Sequence, residues 1–417
     1  MKINTKTGSI TVRPHNGKSR ARILISGDCC IRGTGEERVL DGESFDILEP
    51  MFNTFQAADV SMIQFETVLT EDDTPIIKSG PNLKSHPETI DFFHAWGGDI
   101  ALLANNHTGD FGPEPLMQTM EMLHAEGFKT VGAGANLEDA SQPLYFETND
   151  ISIGILNVAE NEFGTAALDK AGSAPLVPMY NITQIAEIKR KANVCIVVVH
   201  GGNEYNPIPS PRVVLMSRAF AEAGADAVIN IHTHCPQGIE IWKKTPIIYS
   251  LGNFFFPASG FMKHCEPDNF WFTGYSVALN MDCKGCASLE IIPTTFAVDS
   301  SYVKPLEGKQ KTGFFAYLQE ISDFLNDWEA IIKAHECWAA RSSYSNIITN
   351  PSWKKEDFKD RRPENLKKLM PLRNIFTCEA HNELLTTYLR LFEENRLEEA
   401  LEFWPVIEKY TKAKFIL

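Results

Sequence analysis

At 417 residues, 43% of them hydrophobic and 10% aromatic, the chain has the makings of two or three cored units rather than a disordered polymer. Its formal net charge of −15 works against nucleic acid or an anionic membrane as a partner, since both draw on a Lys/Arg excess, and admits a polyanionic substrate only where local cations offset the repulsion. Residues 1–21 lack the apolar core of a secretory signal, no run approaches the roughly 20 apolar residues of a membrane span, and nine cysteines without framework spacing read as reduced thiols, which together predict a cytoplasmic protein.

In chain order, residues 22–26 predict a short apolar strand running into Gly27-Asp28-Cys29-Cys30. A helix over 44–56 leads to a strand over 60–65, closed by Glu66. Lys78 and the turn cluster Ser79-Gly80-Pro81-Asn82 precede a helix over 87–96, which feeds a strand over 99–104 that stops at Asn105-Asn106-His107. A helix over 114–126 carries apolar Leu116, Met120 and Leu123 at helical spacing. Residues 130–134 read as a short strand and glycine corner, and 143–147 with 151–159 as antiparallel strands joined at Asn149-Asp150. The uninterrupted β-branched run 194–199 suits a strand buried on both faces and ends in His200. A helix over 211–223 and a strand over 226–231 end in His232-Thr233-His234; a hairpin over 239–242 and 247–251 follows, then Gly252-Asn253-Phe254. Strands over 272–281 and 287–293 close this half, with Cys283-Lys284-Gly285-Cys286 reading as their turn rather than a metal or redox pair.

From residue 311 the periodicity becomes helical: Phe314, Leu318, Ile321, Leu325 and Trp328, and later Leu384, Leu385, Tyr388, Leu391 and Phe392, form stripes expected to be core. No strand is expected after about residue 300, and 350–355 reads as a break. The expected organisation is an extension over 1–21, a catalytic α/β domain over 22–300 and a helical region over 311–417.

Five strand ends thus carry Asp28, Glu66, Asn106-His107, His200 and His232-x-His234. Each alone has an ordinary explanation: a helix N-cap, a core imidazole, an incidental pair. Together, in strands that share a sheet or two packed sheets, they would supply two carboxylates, one amide oxygen and three imidazoles at one edge. On a strand, His232 and His234 would face the same side. The mixed oxygen and nitrogen set suits a divalent metal, Mn, Zn or Fe, as one or two ions. Two ions about 3.5–4 Å apart clamp the attacking and leaving oxygens of a phosphoryl displacement and lower the pKa of a bridging water. His107, beside Asn106, would stand at the cluster's edge and protonate the leaving group.

The ordered set Gly27-Asp28, Phe65-Glu66-Thr67, Ala104-Asn105-Asn106-His107, His200-Gly201-x-x-Glu204-Tyr205, His232-x-His234 with Gln237, and Tyr249-Ser250-Leu251-Gly252-Asn253-Phe254 resembles the CapA family. That family is linked with poly-gamma-glutamate capsule synthesis and is similar to the calcineurin-like metallophosphoesterases. The resemblance spans about residues 22–256. It implies an α/β, four-layer metallophosphoesterase-like fold, two packed β-sheets flanked by helices, with a metal site at the sheet ends. It further implies Asp28, Glu66, Asn106, His200, His232 and His234 as ligands and His107 as the acid. Arg32 and Lys78 would hold a substrate oxyanion, and Glu204, Tyr249 and Asn253 would line or support the pocket. The chain departs from the pattern at Cys30, where metallophosphoesterases carry the His of Asp-x-His; CapA proteins also lack that His. Cys30 is then either a thiolate ligand or a buried inert thiol. Further departures are Gln64 for the family's usual Asn, Gly202 where an aromatic is common, and Asn230-Ile231 before the His-x-His. Three functions follow: a soluble metal-dependent phosphoester hydrolase, an enzyme acting on amide or gamma-glutamyl bonds, or a non-catalytic accessory subunit of a poly-gamma-glutamate-type ligase system. The expected partner is a small-molecule or short peptide-like anionic substrate, with neither nucleic acid nor membrane. The sequence leaves the oligomeric state open.

Overall fold

The structure, a computed structural model, describes residues 1–15, 20–258 and 266–416. Among them the strands in chain order are β1 (Ser9–Thr11), β2 (Ala21–Cys29), β3 (Val60–Phe65), β4 (Ile100–Leu102), β5 (Lys129–Val131), β6 (Ala133–Gly134), β7 (Leu144–Thr148), β8 (Ile151–Ala159) and β9 (Gly172–Ser173). They continue with β10 (Val194–His200), β11 (Ala227–Ile231), β12 (Ile239–Trp242), β13 (Thr245–Ile248), β14 (Asn253–Phe255), β15 (Thr273–Asp282), β16 (Gly285–Phe296) and β17 (Val303–Pro305).

Two mixed sheets result. The larger runs β1-β16-β15-β2-β3-β4-β5, with β14 added to β2 and β17 to β16. Its β2, β3, β4 and β5 are parallel, and β15 joins β2 antiparallel. The smaller runs β12-β13-β11-β10-β8-β7, parallel through β8, β10, β11 and β13. The β-branched sequence of β10 explains its place between two parallel neighbours, with every residue buried. A shorter pair, β6 with β9, stands apart.

Period-two alternation divides the core. Ile23, Ile25, Met62 and Ile100 of the larger sheet share one apolar cluster with Ile153, Ile155, Ile196 and Val198 of the smaller. The opposite face of the larger sheet packs against helices Ser44–Leu48, Ile90–Trp96 and Pro113–Ala125 through Ile47, Phe92, Phe93 and Leu116. The opposite face of the smaller packs against Pro178–Lys191 and Pro211–Ala223 through Ile185, Ile188, Val214 and Phe220. Asn157 on β8 ties the sheets near their carboxyl ends, its Oδ1 accepting from Ala104 N–H at 2.9 Å and its Nδ2 donating to Val198 O.

A C-terminal helical region follows, with main helices Gly308–Phe324, Trp328–Arg341, Pro363–Thr377 and Glu379–Glu393. Phe314, Phe315, Leu318 and Ile321 join the cluster between the sheets, and Ser322 Oγ accepts from Ile239 N–H on β12. None of the described helices is long and apolar enough to cross a membrane.

Several elements depart from the sequence reading. Residues 9–11 form an edge strand on β16, and Arg13 pairs with Asp282. Helix Pro178–Lys191 is not among the expected elements; Ile182, Ile185 and Ile188 form its narrow apolar face among polar and basic neighbours. The short β17 lies beyond residue 300, paired with β16. Of the late stripe, Leu384, Leu385 and Leu391 are buried but Phe392 is 68% exposed. The turn at Cys283-Lys284-Gly285-Cys286 does join β15 to β16, with Asp282 opposite Gly285. The eight described cysteines are free, and Cys265 lies outside the described residues.

Candidate metal centre

All five polar strand ends meet at the common carboxyl edge of the two sheets. Asp28 reaches it through a bulge: Ser26 pairs with Ile63 and Asp28 with Gln64, so Gly27 is the extra residue that re-aims the carboxylate. Glu66 follows β3 directly and His200 closes β10. His200 Nδ1 lies 3.7 Å from Asp28 Oδ1, and its Nε2 lies 3.7 Å from Glu66 Oε1 and 3.1 Å from Asn106 Oδ1. His234 Nδ1 is 3.5 Å from Asp28 Oδ2, and the His200 and His232 rings are 4.5 Å apart. Two trios of possible ligand atoms emerge, Asp28/Glu66/His200 and Glu66/His232/His234, each within 4.8 Å of one another and sharing Glu66.

His232 and His234 do not converge by strand alternation. β11 stops at Ile231, and both histidines adopt left-handed backbone, φ 112° and 55°. Such conformations are costly for non-glycine residues and persist where the surroundings impose them. Asn253, on β14 opposite Asp28, orients one ring: its Nδ2 donates to Trp271 O, so its Oδ1 accepts from His234 Nδ1 at 2.8 Å and leaves Nε2 free.

The donor atoms fit a divalent ion. Both oxygens of Asp28, both of Glu66, and Nδ1 of His200 and His232 are buried without a hydrogen-bond partner among the described residues. Orphaned buried polar atoms at this density are expensive unless a cation satisfies them. Burial, reinforced at Glu66 by the Asp28 charge, holds both carboxyls above their usual range. Burial also pushes His232 and His234 down to about 3 and His200 well below its ordinary value. The imidazoles are therefore neutral, with lone pairs to give, and a dication would supply the charge the two carboxylates lack.

Asn105 and Asn106 divide their work. Asn105 braces the loop, donating to Phe65 O at 2.8 Å and accepting from His107 N–H at 2.9 Å. Asn106 faces the cluster. His107 Nδ1 lies 2.7 Å from Asp110 Oδ2, and Asp110, fully buried, also accepts from Leu83 N–H and from Lys78. Burial and the Lys78 charge hold His107 below its ordinary value against the pull of Asp110. Asp110 escaped the sequence reading, although it stands three residues beyond His107 in the same loop.

A cavity of about 480 Å³ opens over the cluster. Arg32, Lys78 and Glu204 line it with Asn106, His107 and His234. The Lys78 ammonium is committed to Asp110, whereas Arg32 lies over the Phe256 ring at 5.9 Å and has no carboxylate paired with it among the described residues. Glu204 Oε1 is 4.0 Å from His232 Nε2. Tyr249 corrects the expectation of a pocket residue: it is buried in the cluster outside the smaller sheet and donates its hydroxyl to Glu240 at 2.8 Å. Cys30 belongs to neither trio, and burial pushes its thiol up to about 11, so it behaves as an inert core group. The far wall comes from Glu162 and from Tyr344, Asn374 and His381 of the C-terminal region, none of which carries a local sequence signal.

Comparison with known proteins gives the family. The relative named capsule biosynthesis protein CapA of Bacillus anthracis is 33% identical over 197 residues, covering 45% of this chain and 48% of that protein. PGA biosynthesis protein CapA of Bacillus subtilis (strain 168) is 30% identical over 217 residues, covering 51% and 56%. The chain thus spans about half the length of the curated relatives it matches. Among solved structures, the 5'-nucleotidase precursor from Thermus thermophilus aligns at 11% identity and a TM-score of 0.42, covering 74% of this chain and 60% of that one. The family model described as bacterial capsule synthesis protein PGA_cap matches residues 22–258. With more than half its length matched, the chain belongs to that family.

Proposed function

We propose that the chain is a metal-dependent hydrolase of phosphoesters, built on a metallophosphoesterase-like four-layer scaffold and acting on a small anionic substrate in the cytoplasm. The observation that carries this reading is the pair of ligand trios sharing Glu66, with their carboxylate oxygens orphaned in the protein interior. Asp28, Glu66, Asn106, His200, His232 and His234 would hold one or two ions of Mn, Zn or Fe. Such ions, when bound, supply Lewis acidity that lowers the pKa of water and offsets charge on the phosphoryl group.

The remaining work falls to the chain itself. Asn253 keeps His234 in one tautomer and orientation. Arg32, at the cavity wall and without a carboxylate partner among the described residues, offers a cation to a substrate oxyanion. Asp110 occupies Nδ1 of His107, so Nε2 is the atom that hands a proton to the leaving oxygen. The 480 Å³ cavity suits a small molecule or a short peptide-like anion.

The test uses the purified chain with Mn²⁺ or Zn²⁺ and an aryl phosphate. His107→Ala is expected to abolish turnover with metal content intact, and His234→Ala to lose metal. Equal metal loss in both variants removes the acid assignment. A metal-free protein indifferent to chelators overturns the hydrolase, and turnover of a gamma-glutamyl amide without turnover of phosphoesters overturns the phosphoester chemistry.

A further inference from the structure

We infer that Glu162, Cys378 and His381 form a second, separate metal site for a borderline-soft divalent ion such as Zn²⁺, set in the cavity wall where the C-terminal helices meet the α/β domain. One ligand atom from each of the three lies within 4.8 Å of the others, and none belongs to the trios at the sheet edge. Glu162 stands in the loop after β8; Cys378 immediately precedes helix Glu379–Glu393, and His381 lies in its first turn.

The seam holding them is already stitched. Glu379 accepts from Asn161 N–H at 2.9 Å, and Glu160 accepts from Ala380 N–H at 3.2 Å while pairing with Arg212. Loop and helix start are therefore fixed against each other before any ion arrives, which is the preorganisation a metal site needs. The three side chains, by contrast, are poorly served by the protein. Cys378 is 2% exposed, and its thiol has weak partners in Glu160 Oε2, at 3.7 Å, and the His381 backbone N–H. His381 Nδ1 is buried without a hydrogen-bond partner, and Glu162 has no Lys or Arg within ion-pair distance among the described residues. A buried thiol and a buried imidazole nitrogen without a partner among the described residues are each unfavourable; one dication satisfies both and draws on the Glu162 carboxylate at the cavity wall.

Sulfur, nitrogen and oxygen together select Zn²⁺ or a similar transition ion over Mg²⁺ and Ca²⁺, which prefer oxygen alone. Three protein ligands leave a fourth position. Glu162 and His381 line the cavity, so that position opens towards its contents, and the ion would fasten the helical wall to the α/β domain.

The full chain, stripped of metal and titrated with Co²⁺ alone, tests this by thiolate-to-cobalt charge-transfer absorption and by metal content. At saturating Co²⁺ the band is expected to reach the intensity of one cobalt–thiolate centre per chain in the wild type and in Asp28→Asn, since the sheet-edge trios contain no thiolate donor. Cys378→Ser should lose the band and bind one ion fewer, and His381→Ala should weaken the band's cobalt affinity at least tenfold. No band in the wild type, or a band that survives Cys378→Ser, overturns the site. Circular dichroism checks each fold; should Cys378→Ser not fold, unchanged cobalt affinity in both His381→Ala and Glu162→Gln overturns it equally. Because the readout is spectroscopic, it stands or falls apart from hydrolysis at the sheet edge.

Discussion

A buried imidazole donates a proton to a leaving group only when its other nitrogen is held and its positive charge offset, and Asp110 does both from 2.7 Å. Burial alone would raise the Asp110 carboxyl, but His107 and Lys78 outweigh it and keep the group ionised. Asp110→Asn preserves the shape and an accepting oxygen while removing the charge. Turnover of phenyl phosphate should fall by about 100-fold, and that of nitrophenyl phosphate, whose leaving group needs little help, by much less. Metal content should not change. An equal loss on both substrates would show that Asp110 acts on something other than proton donation. The gathering of Asp28, Glu66, His200, His232 and His234 at one edge was legible because each closes or follows an apolar strand, a place where stability alone seldom asks for a polar residue. Asp110 was hidden by its ordinary setting, an acid in a Gly-containing loop. Tyr249 misled for the opposite reason: it follows β13 towards the site, yet its hydroxyl is spent on Glu240 on the far side of the sheet. Glu162 and His381 meet only through tertiary packing, which no local pattern encodes.

At the scale of elements, the site depends on how closely β14 lies beside β2. A Cβ at Gly27 would stand 1.8 Å from Gly252 O, and one at Gly274 would stand 2.4 Å from Asn253 O. The absence of side chains there lets β14 seat Asn253 opposite Asp28, one bringing a carboxylate and the other the amide that orients His234. Gly27→Ala should therefore destabilise the chain by about 3 kcal/mol, the upper part of the range for overpacking, and should lose metal as well. Gly42→Ala is the contrast: its φ is positive, 86°, which strains a side chain, but the position opens onto empty space, so it should cost about 1 kcal/mol and keep its metal. A folded Gly27→Ala with wild-type metal content would mean that β14 does not set the geometry. The strong strands, β10 above all, could be read from their β-branched runs. The bulge at Gly27 could not, because pairing register belongs to two strands at once and a sequence shows them singly.

Across the whole molecule, the cavity is closed by a region that contributes nothing to the sheet-edge trios. Arg212 joins the two parts, paired with Glu160 of the α/β domain and with Glu383 of helix Glu379–Glu393. The same helix packs against Trp328–Arg341, where His335 Nε2 meets Thr387 Oγ1 at 3.1 Å and Nδ1 has no hydrogen-bond partner among the described residues. Burial, then the Arg212 charge, pushes His335 down to about 4; Arg390 adds to this and Glu336 opposes it. The folded value lies below that of the unfolded chain, so the neutral ring is the form that the fold accepts. Above pH 6.5 both states are neutral and the residue contributes no pH dependence. As pH falls from 6.5 towards 4, the unfolded chain takes up a proton that the folded chain refuses, and stability declines by at most about 3 kcal/mol before levelling off. His335→Gln, which keeps a donor and an acceptor but cannot titrate, should flatten this part of the stability curve while leaving stability at pH 8 within about 1 kcal/mol of the wild type. Melting temperatures of both proteins between pH 4 and 8, with limited proteolysis to show whether the C-terminal helices are cut first, make the measurement. Parallel curves for the two proteins would mean that the helical wall owes its acid sensitivity to another group.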